Sequence, residues 1–214
     1  MSEALEGFTY RFLPGSRALA VLALHGTGGD EEDLLPLVAE IAPGAAVLSP
    51  RGRMPERGMP RFFRRFAEGV FDEENVRSEA AALAGFARGA ATRHAVSDRP
   101  LVALGYSNGA NMAAALLLLH AGVLQGAVLL RAMLPLRPSD PATLPGVPVL
   151  LLAGSGDPIV PRERIQTLAE VLRGAGARTT LRWAAAGHGL AQEEPAAART
   201  WLDANFPPDP PAGA

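Results

Sequence analysis

Residues 101–120 read LVALGYSNGANMAAALLLLH. Leu101–Gly105 is a short apolar run with the character of a strand buried on both faces, and Asn108–His120 has the character of a helix. Between them stands Gly105-Tyr106-Ser107-Asn108-Gly109. A strand, G-x-S-x-G and a helix in succession are the context of a nucleophile elbow, a sharp turn that presents a serine hydroxyl. Glycine is needed at the flanks because side chains there would collide with each other or with neighbouring backbone. The helix N-terminus that follows can stabilise negative charge through its amide groups. The bland alternative is a serine that only caps a helix. The coincidence of pentapeptide, strand and helix favours Ser107 as a nucleophile.

Outward from this elbow the pattern repeats. Gly7–Phe12 alternates, with Phe8, Tyr10 and Phe12 on one face, and predicts a half-exposed antiparallel edge strand. Leu19–Leu24, Ala45–Ser49, Ala127–Leu130, Val147–Ala153 and Thr179–Trp183 read as further strands. Helices are predicted from an Asp30 N-cap through Glu40, from Asp72 onward, over Arg162–Arg173 and over Pro195–Phe206. Strands alternating with helices mean an α/β fold with a mostly parallel central sheet and helices on both faces. Residues 1–206 are expected to form one domain, and the Pro-rich 207–214 a disordered tail. Arg51–Phe71, rich in Pro and Gly around Arg61-Phe62-Phe63-Arg64-Arg65, reads as a long irregular connection of functional interest.

Composition narrows the chemistry. The net charge of −2 gives no reason to expect nucleic acid or an anionic membrane as partner. The 20 basic residues are all Arg, so Lys-based Schiff-base chemistry is excluded. With no Cys, thiolate catalysis and disulfides are excluded too. The N-terminus lacks a secretory core and no apolar run could span a bilayer, so a cytoplasmic location without membrane insertion is expected.

A serine hydroxyl needs a base. His94 and His120 fall at predicted helix ends, where histidine is usually solvated or a C-cap, and His25 comes too early for the chain order of this fold. His188, in Gly187-His188-Gly189 after the last strand, fits the order Ser…Asp…His. The orienting acid should lie between the two at the carboxyl end of a strand. Asp157, in Gly154-Ser155-Gly156-Asp157-Pro158, meets both conditions and is preferred over Asp140, although an Asp before Pro can also be a plain turn residue. The oxyanion donors are expected to be the amides of Asn108 and of Thr27, the latter in His25-Gly26-Thr27-Gly28. That glycine run has neither the P-loop ending nor the G-x-G-x-x-G spacing. The acids Asp30, Glu31, Glu32 and Asp33 are read as a first helical turn rather than a metal site. Phe62, Phe63, Met133, Leu134 and Ile159 are candidate pocket liners.

These motifs, together with Ser49-Pro50-Arg51-Gly52 and Gly187-His188-Gly189-Leu190, resemble the carboxylesterase/phospholipase family of small, lidless α/β-hydrolases, which also holds the acyl-protein thioesterases. The resemblance runs from about Leu19 to Phe206. It implies an α/β-hydrolase fold, a triad of Ser107, Asp157 and His188, oxyanion amides at Thr27 and Asn108, and a homodimer. The thioesterase branch usually has Gln where Asn108 stands. The Arg61–Phe71 stretch and Met133-Leu134-Pro135 look more like bacterial carboxylesterases, some of them associated with quinone stress. The expectation is a serine carboxylesterase acting on small-molecule esters with short or medium acyl groups, with no cofactor and no metal. Thioesterase or lysophospholipase action on longer chains is the first alternative, and a non-catalytic small-molecule-binding fold the second.

Overall fold

The buried apolar runs assemble into a single eight-stranded sheet, seen in a computed structural model that describes residues 2–208. The strands in chain order are β1 (Glu3–Leu5), β2 (Phe8–Leu13), β3 (Ala20–Leu24) and β4 (Ala46–Pro50). Two small hairpins follow, β5 (Met54–Glu56) with β6 (Met59–Arg61) and β7 (Arg65–Ala67) with β8 (Val70–Phe71). The chain then returns to the sheet in β9 (Leu101–Tyr106), β10 (Gly126–Leu130), β11 (Pro148–Gly154) and β12 (Arg178–Ala184). Their spatial order is β1-β2-β4-β3-β9-β10-β11-β12, antiparallel from β1 to β4 and parallel beyond.

The helices are α1 (Leu35–Ile41), α2 (Glu73–Arg93), α3 (Asn108–Leu119), α4 (Arg162–Gly174) and α5 (Glu194–Asn205). The pleat sends alternate residues to opposite faces. Ala20, Leu22 and Leu24 of β3 pack in the cluster with α2, α3 and α4, whereas Val21 and Ala23 join that of α1 and α5. Both faces are therefore apolar, which is why the central strands read as unbroken hydrophobic runs. Asp72 caps α2 by accepting the Asn75 N–H at 3.1 Å, as its position before the periodic segment predicts.

Three expectations change. The strand near Gly7–Phe12 is not an edge, because β1 pairs outside it and takes that place. Asp30 does not begin a helix. Its carboxylate accepts the Glu32 N–H at 2.8 Å in a local turn, and α1 starts only at Leu35. The reason is Pro36, which fits the first helical turn but would clash with the preceding turn inside a helix. The four acids thus precede the helix, and no group of three or more metal-ligating side chains occurs among the described residues. Finally, Arg51–Phe71 contains the two hairpins rather than irregular chain. Of the predicted tail, residues 209–214 lie outside the described residues.

Candidate active site

Ser107 sits between the end of β9 and the start of α3 with φ 52° and ψ −113°, a conformation that L-residues avoid. Its amide is anchored to Leu130 O of β10 at 2.8 Å. The strain is maintained by close packing beside it. A Cβ on Gly109 would lie 2.0 Å from Leu24 O, so only glycine lets α3 approach β3 this closely.

Ser107, His188 and Asp157 converge from three loops at the carboxyl ends of the parallel strands. His188 Nε2 lies 2.9 Å from Ser107 Oγ, and His188 Nδ1 lies 2.8 Å from Asp157 Oδ2. The other Asp157 oxygen accepts the amides of Ile159 and Val160 at 2.8 and 3.1 Å, and its side chain is almost fully buried. Asp140 is exposed on the loop between β10 and β11. The Asp157 and His188 loops are joined directly, with Ser155 N to Ala184 O at 2.9 Å and Gly156 N to Ala186 O at 3.0 Å. A Cβ on Gly154 would lie 2.1 Å from Gly187 O, which explains that glycine.

The loop carrying Thr27 is fixed by His25. This buried imidazole donates from Nδ1 to Gly26 O at 2.6 Å and accepts the Gly52 N–H at Nε2 at 2.8 Å. Burial holds its pKa below the ordinary value, consistent with a neutral structural ring. Gly28 N donates to Pro60 O at 2.9 Å, and Arg61 Nη1 donates to Thr27 Oγ1 at 2.6 Å, so the β5–β6 hairpin braces the loop. The Asn108 side chain accepts the Phe62 N–H at 2.7 Å, while its buried Nδ2 has no hydrogen-bond partner among the described residues. His94 and His120 are the C-cap residues of α2 and α3.

A bidentate ion pair holds the strand ends around this loop. Arg51 Nε and Nη2 reach the Glu31 carboxylate at 2.5 and 2.9 Å, and Ser2 donates to it at 2.7 Å. Burial pushes the Glu31 carboxyl up, but the bonds from Arg51 and Ser2 outweigh it and bring it to about 2. A depressed carboxyl stabilises the fold fully above its unfolded value, about 4.5, and that stability is lost as pH falls towards 2. The melting-temperature gap between wild type and Glu31→Gln should therefore close through this acid window. A gap that stays constant across it contradicts the assignment.

A recess of about 20 Å³ adjoins Ser107, bounded by Asn108, Asn111, Met133 and Arg131. A wider mouth of about 300 Å³ includes Thr27, Arg65, Tyr106, Ile159 and His188. Met133 and Ile159 thus border the site. Phe62 and Phe63 do not; they are 2% and 0% exposed within the core. Phe62 packs on His25 and Phe63 edge-on against Phe71. Burying each ring contributes roughly 1.5–3 kcal/mol, which outweighs a place at a wet cleft. Leu134 lines a neighbouring groove of about 580 Å³ instead. Sequence reading missed Arg65, Tyr106, Asn111 and Arg131. Two signals were available: Tyr106 stands beside Ser107, and Arg131 is a charge directly after the buried run of β10.

The model of the dienelactone hydrolase family matches residues 64–205, most of the chain and all of the elbow, acid and base loops. The chain belongs to this family. It is also 43% identical over 187 residues to MhqD of Bacillus subtilis (strain 168), a protein named as a hydrolase, covering 87% of this chain and 94% of that one. Among solved structures it resembles the carboxylesterase of Bacillus cereus with a TM-score of 0.89, 43% identity, and coverage of 92% and 93% of the two chains. For the carboxylesterase of Mesorhizobium loti the TM-score is 0.86 at 36% identity, covering 94% and 98%. The α/β-hydrolase architecture and the kinship with bacterial carboxylesterases follow, and no separate lid stands among the described residues. No helix among the described residues is long and apolar enough to cross a membrane.

Proposed function

We propose that this family member is a serine carboxylesterase for esters with short acyl groups. The observation that carries this reading is the relay Ser107–His188–Asp157, with separations of 2.9 and 2.8 Å. Ser107 Oγ attacks the ester carbonyl while His188 Nε2 takes its proton, and Asp157 holds the ring in the tautomer protonated at Nδ1. The oxyanion is met by the amides of Asn108 and Thr27. Asn108 N lies at the start of α3, where no intrahelical acceptor exists for it. His188 then gives the proton to the leaving alcohol, and acyl-Ser107 remains. Water attacks the acyl carbon while His188 Nε2 takes its proton, and His188 returns that proton to Ser107 Oγ as the acyl–oxygen bond breaks and the acid is released. The side chain of Asn108, which lines the recess, adds a buried Nδ2 donor without a hydrogen-bond partner among the described residues.

The narrowness of the recess beside Ser107 favours an acyl part of only a few carbons, with the leaving group in the wider mouth. One observation favours longer chains. Phe71 borders both the recess and the 580 Å³ groove, so displacement of the β7–β8 hairpin would join them. Hydrolysis of p-nitrophenyl esters from acetate upward decides between the two. We expect kcat/KM to be greatest at the short end; a maximum at long chains instead supports thioesterase or lysophospholipase action. No hydrolysis at any length contradicts both.

A further inference from the structure

Three successive carbonyls of the loop that carries His188 are each held by a side chain donor. Arg131 Nε donates to Gly187 O at 3.0 Å, Tyr106 Oη to His188 O at 3.0 Å, and Arg131 Nη2 to Gly189 O at 2.6 Å. Arg131 Nη1 also donates to Leu152 O at 3.1 Å, and the two Nη atoms reach the Glu194 carboxylate at 2.7 and 2.5 Å. Every N–H of the guanidinium is thereby engaged. Glu194 in turn accepts the Ala191 N–H at 2.6 Å, so residues 187–191 are gripped along their length. The Arg131 side chain is 0% exposed, Glu194 only 4%, and Arg131 holds a strained φ of 58° at the end of β10.

Net stability is a poor explanation for this arrangement. Desolvation cancels much of the attraction in a buried ion pair, and apolar replacements are often neutral. A planar five-donor fork is suited instead to fixing the direction of several carbonyls at once. Those carbonyls belong to the residue that presents the imidazole and to its two neighbours. A misplacement of reacting groups by about 1 Å can cost about a hundredfold in rate.

We propose that Arg131, Glu194 and Tyr106 form a positioning clamp for the His188 loop, holding the imidazole between Ser107 and Asp157. This rests on the serine-esterase reading. Tyr106 joins the residue before the nucleophile to the backbone of the base, so one hydroxyl couples the two loops. None of the three residues touches the reacting atoms in this role.

The test compares Tyr106→Phe and the paired change Arg131→Met/Glu194→Gln with wild type and Ser107→Ala. In the pair, the Gln oxygen can still accept the Ala191 N–H. Readouts are melting temperature, kcat and KM on p-nitrophenyl acetate, and the downfield proton resonance of the His188–Asp157 hydrogen bond. Tyr106→Phe should lower kcat about tenfold and the paired variant about a hundredfold, the range seen when groups that orient functional side chains are removed. KM should stay within about twofold, and the downfield resonance should broaden or vanish in folded protein. Folded variants with wild-type kcat and an unchanged resonance overturn the clamp, even though Ser107→Ala is inactive. If the paired variant does not fold, Tyr106→Phe decides by the same criteria. Activity unchanged in Ser107→Ala overturns both the clamp and the esterase reading.

Discussion

Replacing Ser107 by Ala is expected to lower kcat by about a million-fold, the loss seen when the nucleophile of a serine hydrolase triad is removed. The size follows from geometry. In the proposed mechanism the hydroxyl at the strained turn forms the acyl intermediate, and His188 Nε2, its proton acceptor there, lies 2.9 Å away. The fold should survive, because the turn is held by backbone packing of Gly109 against Leu24 and by the Ser107 amide rather than by the hydroxyl. Residual catalysis of about a thousandfold over water would remain from the oxyanion amides and substrate binding. The check is single-substrate kinetics on purified variant with an unchanged melting temperature. A loss below about tenfold is incompatible with Ser107 as nucleophile.

Asp157→Asn is expected to cost about ten-thousandfold in kcat, less than the serine change but far more than Asp140→Asn. The amide can still accept from Ile159 and Val160, so the loop keeps its shape. What it loses, in the proposed mechanism, is the negative charge that stabilises the imidazolium and the acceptor that selects the tautomer. Asp140 is exposed and away from this contact, and its replacement should leave kcat within about twofold. Parallel kinetics on the two variants decide the matter. A crippled Asp140→Asn with a mild Asp157→Asn reverses the assignment.

Much of this site was legible because strand ends are marked locally. Gly109 beside Ser107 and Gly154 before Asp157 record backbone approaches of about 2 Å to a missing Cβ, and such constraints show in sequence, whereas the glycines flanking His188 are not forced by contact. The buried strands were equally plain, since a sheet covered on both faces leaves no polar alternation. What local pattern cannot report is competition between elements. Asp30 has the residue type of an N-cap, yet Pro36 moves the helix start to Leu35. Phe62 and Phe63 lie in a loop-like stretch, yet the hairpin turns both rings into the core. The edge position of β2 was lost to three residues, β1, too short to register as a strand. The charge of Arg131 after a buried run marks its position, but its role was hidden because its partners come from residues 152, 187, 189 and 194, and no spacing rule connects them.

The most direct test of the central claim is stoichiometric labelling of native protein with a fluorophosphonate, followed by peptide mass spectrometry. Ser107 as an activated nucleophile predicts about one equivalent of label on the peptide containing that residue, and none on Ser107→Ala. Folded protein that takes up no label, or carries it on another residue, would contradict it.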